Sequence, residues 1–171
     1  MTNEILELFN AHKGIVCCVG AGGKKTTMFR LAQEHAGRRG ITATSHIEYF
    51  PRKLKITKHI AEEDELLQLV KNDPSDCIAF ACPSTRKGRH AGISIDNVKR
   101  FQETGQFDLL VIKSDGARNR APALGLAFIA LAPRRVSYRS IHYPLPGYPT
   151  PFRATVISSR ITGSSIVAGI L

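Results

Sequence analysis

Residues 15–34 read IVCCVGAGGKKTTMFRLAQE. The first part is a short apolar run, rich in β-branched residues and bounded by glycines, which predicts a buried strand over residues 14–20. The last part places Met28, Leu31, Ala32 and His35 or Ala36 on one side at helical spacing, which predicts a helix stopped at Gly37. Between them stand Gly20, Ala21, Gly22, Gly23, Lys24 and Lys25. Glycines let backbone amides approach an anion, and the following helix adds unpaired N–H groups and a partial positive charge. Gly20, Ala21, Gly22, Gly23, Lys24, Lys25, Thr26 and Thr27 are therefore the candidate phosphate cradle, with Lys24 supplying a full charge. A tight strand-to-helix turn with no ligand is the competing reading.

The full P-loop pattern G-x-x-x-x-G-K-[ST] is not met, because Cys18 stands where its first glycine belongs. A shorter form, G-x-x-G-K, runs from Gly20 to Lys24 and resembles the abbreviated loop of the ATP-dependent Mur ligases. Lys25 replaces the hydroxyl that would hold magnesium, and an ammonium has no lone pair for a metal. Thr26 is the next hydroxyl in line.

Outward from this stretch, strand and helix signals alternate. NEILELFNAH, residues 3–12, predicts a short lead-in helix with Ile5, Leu6 and Phe9 on one face. GITATSH, 40–46, predicts a second strand, and PRKLKITK, 51–58, a short strand or loop. AEEDELLQLVKN predicts a helix with acids in its first turn and Lys71 in its last. CIAFA, 77–81, predicts a strand and STRKGRHAG, 84–92, a basic loop. SIDNVKRFQETG predicts a helix capped by Ser94 and stopped by Gly105. FDLLVIKSDG is the strongest strand signal and ends in a polar turn holding Asp115.

This alternation implies a doubly wound, mainly parallel α/β sheet, with a P-loop-like domain over residues 1–120. Ligands of such sheets bind at the carboxyl ends of strands, where both the glycine loop and Asp115 fall. Asp115 after an apolar strand reads as a metal-holding acid, directly or through water, and Arg118 as a phosphate contact. A plain Asp-Gly turn is the alternative for Asp115. His46, at the end of the second strand, is a further candidate on the same side.

Residues 121–171 differ in character. Six of the nine prolines lie in 122–151, and no clear periodicity follows, so an irregular Pro/Arg-rich tail is expected. Up to Asp115 there are 17 Lys and Arg against all 14 acids, a net +3; beyond it there are seven arginines, no lysine and no acid. The net charge of +10 therefore sits mostly in the tail, and residues 1–115 lack the interleaved aromatic and basic pattern of a base-stacking surface. Nucleic acid is accordingly not the expected partner. No secretory signal is read at the start, and no apolar run approaches the ~20 residues needed to span a bilayer. Cys17, Cys18, Cys77 and Cys82 form no C-x-x-C pair and are expected as buried free thiols, which suits a cytoplasmic location.

VGAGGKKTTMFRLAQE, TATSHI, KGRHAGIS and FDLLVIKSDGARNRAPA together resemble the YqeC family over roughly residues 14–123. Its members are described as selenium-dependent hydroxylase accessory proteins. The resemblance implies a P-loop-like fold and a nucleotide site, and a role in maturing molybdenum-dependent hydroxylases. Carried over by residue, Gly20, Gly22, Gly23 and Lys24 match the family loop, and Asp115, Gly116 and Arg118 match its second motif. The family's threonine after the lysine is Lys25 here. Its glutamate before the aspartate is Lys113, its alanine is Ser114, and its H-E-P-like stretch has no counterpart.

The expected ligands are thus a nucleoside triphosphate, ATP or another, and Mg2+ held by Asp115 and Thr26, with Lys25 and Lys113 opposing the metal. If the chain turns over, the reaction is nucleotide hydrolysis or nucleotidyl or phosphoryl transfer, with Lys24 and Asp115 as catalytic groups. A catalytically inactive phosphate-binding module is the second reading, and an Arg-rich nucleic-acid binder the third.

Overall fold

The computed structural model describes residues 4–9, 11–20, 24–114, 136–143, 152–159 and 165–170. Helix α1 (Glu4–Leu8) leads into β1 (Gly14–Gly20), and α2 (Lys24–Glu34) returns to β2 (Arg39–Ala43). Then come β3 (Ile47–Glu48), β4 (Thr57–Ile60), α3 (Glu63–Asn72), β5 (Cys77–Ala81) and β6 (Arg89–His90). A 3-10 turn (Ile95–Asn97) and α4 (Val98–Thr104) lead to β7 (Leu109–Lys113). Strands β1, β5 and α3 follow the apolar and charge patterns closely, because those patterns report burial on one face or both.

The order β4-β5-β2-β7-β1 is a five-stranded, wholly parallel sheet. Strand β7, late in the chain, inserts between β1 and β2. Alternate residues of each strand feed opposite faces. On one face Val16, Cys18, Ile41, Ala43, Leu109 and Val111 pack with Met28, Leu31 and Ala32 of α2 and Leu6 of α1. On the other, Ile15, Cys17, Ile78, Phe80, Leu110 and Ile112 pack with Leu66, Leu67 and Val70 of α3 and Phe101 of α4. Phe80 stacks on Phe101 and Phe107, with ring centroids 5.0 and 5.9 Å away. At the sheet centre Thr42 donates to the Phe80 carbonyl (2.8 Å), so its buried hydroxyl is satisfied. Met28, Leu31, Ala32 and His35 are all buried, as their spacing predicts.

The helix α2 ends at Glu34, short of Gly37. The Gly37 amide donates to His35 Nδ1 (3.1 Å), which leaves Nε2 as the nitrogen that donates to the His12 carbonyl (2.8 Å). Ser94 caps its turn by accepting from the Asp96 amide (3.3 Å), as its position predicts. After α4, Gly105 is not left-handed; Gln106 is, at φ 50°.

The amino ends of the strands are joined by Arg38. Its guanidinium donates to the carbonyls of Gly105 (2.6 Å), Ser75 (2.7 Å), Asp73 (2.6 Å) and Val70 (3.2 Å), and it lies 5.6 Å from the centroid of the Phe107 ring. The Arg38 amide donates to Asp108 (2.9 Å). Nearby, His59 and Asp73 meet at 2.6 Å. Burial pulls the Asp73 carboxyl upward, but the side-chain and backbone hydrogen bonds from Ser75, with His59, outweigh it and hold it below its ordinary value.

Strands β8 (Val136–Tyr143), β9 (Phe152–Ser159) and β10 (Ser165–Ile170) extend the sheet, with β10 parallel to β1 and β9 and β8 antiparallel beyond it. These strands differ from the irregular tail that composition suggests. The prolines at 144, 146, 149 and 151 lie outside the described residues. Among the described residues no helix is long and apolar enough to cross a membrane.

Candidate functional site

Three strand ends converge. Cys18 of β1 and Ala43 of β2 both stand opposite Lys113 of β7. The Ser114 amide donates to the Cys18 carbonyl (3.0 Å) and the Thr44 amide to the Lys113 carbonyl (3.0 Å), so the ladder runs to the rim of the sheet. Helix α2 starts at Lys24, four residues beyond the end of β1, so its first turn belongs to this rim. Lys24 and Lys25 are half-buried, as is Thr27, while Thr26 is exposed. Ala21, Gly22 and Gly23 lie outside the described residues, as do Asp115 and Arg118, the two other sequence candidates.

Lys25 and Lys113, which depart from the motifs the chain resembles, are both engaged. Lys25 Nζ donates to Glu48 Oε2. Lys113 Nζ donates to Ser45 Oγ (2.9 Å) and to the His46 carbonyl (2.8 Å). The backbone of His46 is therefore used here. Glu48 is the residue that sequence reading missed. Its side chain is exposed, and Lys25 first, then Arg89 and Lys113, hold its carboxyl below the ordinary glutamate range. No local signal marks a lone glutamate after a strand; only the folding of β3 beside α2 brings it to Lys25.

The basic loop 84–92 is pressed onto the same rim. A Cβ at Gly92 would stand 2.5 Å from both the Ala43 carbonyl oxygen and the Ser45 nitrogen, so only glycine fits there. Beside it, β3 and β6 pair as Ile47 with His90 and Glu48 with Arg89. Gly88, at φ 78°, makes the turn that brings Arg89 into place.

Beneath the rim the thiols are inert. Burial pushes Cys17 up to about 12, against a lesser hydrogen bond with Ser114. Burial, helped by Cys17 and opposed by Lys24, also drives Cys18 far upward. A thiol held protonated is a poor nucleophile and metal ligand. All four cysteines are free, and three of them are buried, as their apolar neighbours predict.

This arrangement suits an anion. Lys25, Lys113 and Arg89 gather around the Glu48 carboxylate, and α2 opens at Lys24 beside Lys25. Among the described residues no group of three His, Cys, Asp or Glu could hold a metal ion, and Glu48 is paired with an ammonium.

A family model described as YqeC protein matches residues 16–122, more than half of the chain. No curated protein and no solved structure matches the chain.

Proposed function

We infer function from one premise: the chain belongs to the YqeC family. The reading that fits it best is an accessory protein that binds a nucleoside triphosphate through its phosphates at a P-loop-like turn, in the maturation of molybdenum-dependent hydroxylases. One observation carries the binding part. The carboxyl ends of β1, β7 and β2 meet beside the start of α2, where Lys24 stands. Amides of residues 20–23 and the first turn of α2 would take the phosphate oxygens, and the Lys24 ammonium would neutralise them. Asp115 and Arg118 follow β7 closely enough in sequence to join this site.

Magnesium would supply charge neutralisation at the phosphates when bound, with Thr26 and Asp115 as the residues to hold it. Lys113 stands where the family has a carboxylate, and its ammonium meets Ser45 and His46 at the same rim. A fixed cation repels a divalent ion and attracts a polyphosphate. Phosphate binding in this chain is therefore independent of magnesium, and turnover that needs the metal is impaired. Titration calorimetry with ATP, with and without magnesium, tests this. Equal or tighter binding without the metal is expected, and Lys24→Ala weakens it at least tenfold. Binding that needs magnesium would refute the metal-free reading, and an unchanged Lys24→Ala variant would refute the site. Phosphate release above a Lys24→Ala control would separate an enzyme from an inactive binding module.

A further inference from the structure

We propose that a cavity beside the amino ends of β2 and β5 binds a small amphipathic anion, a carboxylate head on a compact apolar body. The site is separate from the phosphate cradle and stands without it.

The cavity has a volume of about 330 Å³ and lies between α2 and the segment that precedes β4. Its apolar wall comes from Phe29 of α2, Ile41 of β2, Cys77 of β5, and Leu54 and Ile56. Phe29, Ile56 and Cys77 pack against the core yet are only half-buried. Apolar side chains left partly uncovered around a space gain when an apolar group fills it. The space is roughly twice the ~150 Å³ that holds a benzene ring, so it takes a short alkyl chain or a substituted ring.

The outer wall is fixed by its neighbours. The Leu54 amide donates to the Pro51 carbonyl (3.1 Å), and Lys58 Nζ donates to the same carbonyl (2.9 Å). Just beyond Ile56, β4 pairs with β5 from Thr57, whose hydroxyl meets Ser75 Oγ at 2.7 Å. Residues 53–56 are thus tied on both sides, and a preformed cavity costs little ordering on binding.

Charge selects the ligand. Among the described residues that line the cavity, Arg39, Lys53 and Lys55 carry charge, and all three are cations. Arg39 is placed by the fold: its Nε donates to the Ala32 carbonyl (2.6 Å) and an Nη to the Gly37 carbonyl (2.9 Å). It stands opposite Cys77 in the β2–β5 register. Burial pushes the Cys77 thiol upward, and the neighbouring Arg39 guanidinium draws it back in part. Lys53 and Lys55 are exposed at the rim. Cations beside an apolar wall complement a molecule with one acidic end and one apolar end. A cation would be repelled, and a bare polyphosphate would leave the apolar wall uncovered. The phosphate cradle is elsewhere: Arg39 opens β2 at one end of the sheet, and Ala43 closes it opposite Lys113 at the other.

The test titrates octanoate, octanamide and octylamine into the full chain and follows its isoleucine and leucine methyl resonances. Octanoate shifts the methyls of Ile41, Leu54 and Ile56 and leaves those of Ile93 and Ile112, on the opposite face of the sheet, unmoved. It binds about fivefold more tightly than octanamide, and octylamine binds more weakly than either. The double variant Lys53→Ala, Lys55→Ala brings octanoate to within about twofold of octanamide and leaves octanamide affinity unchanged. Saturating ATP leaves the octanoate shifts in place. No shift at Ile41, Leu54 and Ile56 overturns the site. Octanamide or octylamine binding as tightly as octanoate overturns the anionic class, and a preference kept in full by the double variant overturns the rim as its source. Displacement of octanoate by ATP places the carboxylate in the cradle and overturns the cavity as its seat. Failure of ATP to bind at all overturns the phosphate reading alone.

Discussion

At the amino end of the sheet, Arg38 donates to four backbone carbonyls in the segments preceding β5 and β7. At the carboxyl end, Lys113 donates to one hydroxyl and one carbonyl, and Lys25 to a single exposed carboxylate. Both ends gather cations, but the chemistry differs. A guanidinium with a rigid fork of donors ties fixed carbonyls together and becomes part of the fold. An ammonium on a flexible stem at a strand end keeps a compact charge beside the rim, which is the form that suits an incoming anion. One end thus ties its cation into the fold, and the other keeps its ammonium groups at the strand ends.

The contrast breaks first at Arg38. Arg38→Ala removes one side chain and strands four carbonyls, and it costs about 3–4 kcal/mol of stability in urea unfolding. A loss under about 1 kcal/mol would mean that the amino end is not held this way. Arg38→Lys recovers only a minor part, because an ammonium cannot reproduce the fork.

A smaller effect is expected at Asp73, in the same end. Asp73→Asn costs about 1–2 kcal/mol, since it weakens the bonds from Ser75 and His59 to a largely buried carboxylate. The pH dependence follows from the sign of the shift. The folded pKa lies below the ordinary 3.8, so the unfolded state takes up its proton first. The contribution is present above about 3.8 and is lost as pH falls through the folded value. Unfolding free energies measured from pH 6 downward should fall less steeply for Asp73→Asn than for wild type; parallel curves would contradict this.

The smallest effect belongs to the carboxyl end. Glu48→Gln changes stability by no more than about 0.5 kcal/mol, because the pair with Lys25 is exposed and screened. The same substitution removes the carboxylate paired with Lys25 and tightens triphosphate binding a few-fold at low salt, an advantage that shrinks as salt rises. A large stability loss from Glu48→Gln would place this pair with Arg38 as a structural device and remove the difference between the two ends.

Much of this division was readable in the chain. The apolar runs of β1, β5 and β7 and the one-sided spacing of Met28, Leu31 and Ala32 directly report burial, and those elements stand where they were expected. Strand β4 was legible only as a short strand or loop over 51–58, and the β3–β6 pair not at all. They are two to four residues long, and their burial is partial, so no period develops. Arg38 carries no reading from sequence, because a lone arginine before a strand has no local signature. The Lys25–Glu48 and Lys113–Ser45 contacts join residues far apart in sequence, so no local pattern announces them.

By itself the sequence determined the alternation of strands and helices, because that depends on side chains within a few residues of one another. Only the tertiary structure decided that β7 enters between β1 and β2, which brings Lys113 opposite both Cys18 and Ala43. Strand order is set by long-range pairing and by the packing of two apolar faces. Neither is a property of any one segment, so the neighbours of a strand end cannot be read from the residues that compose it.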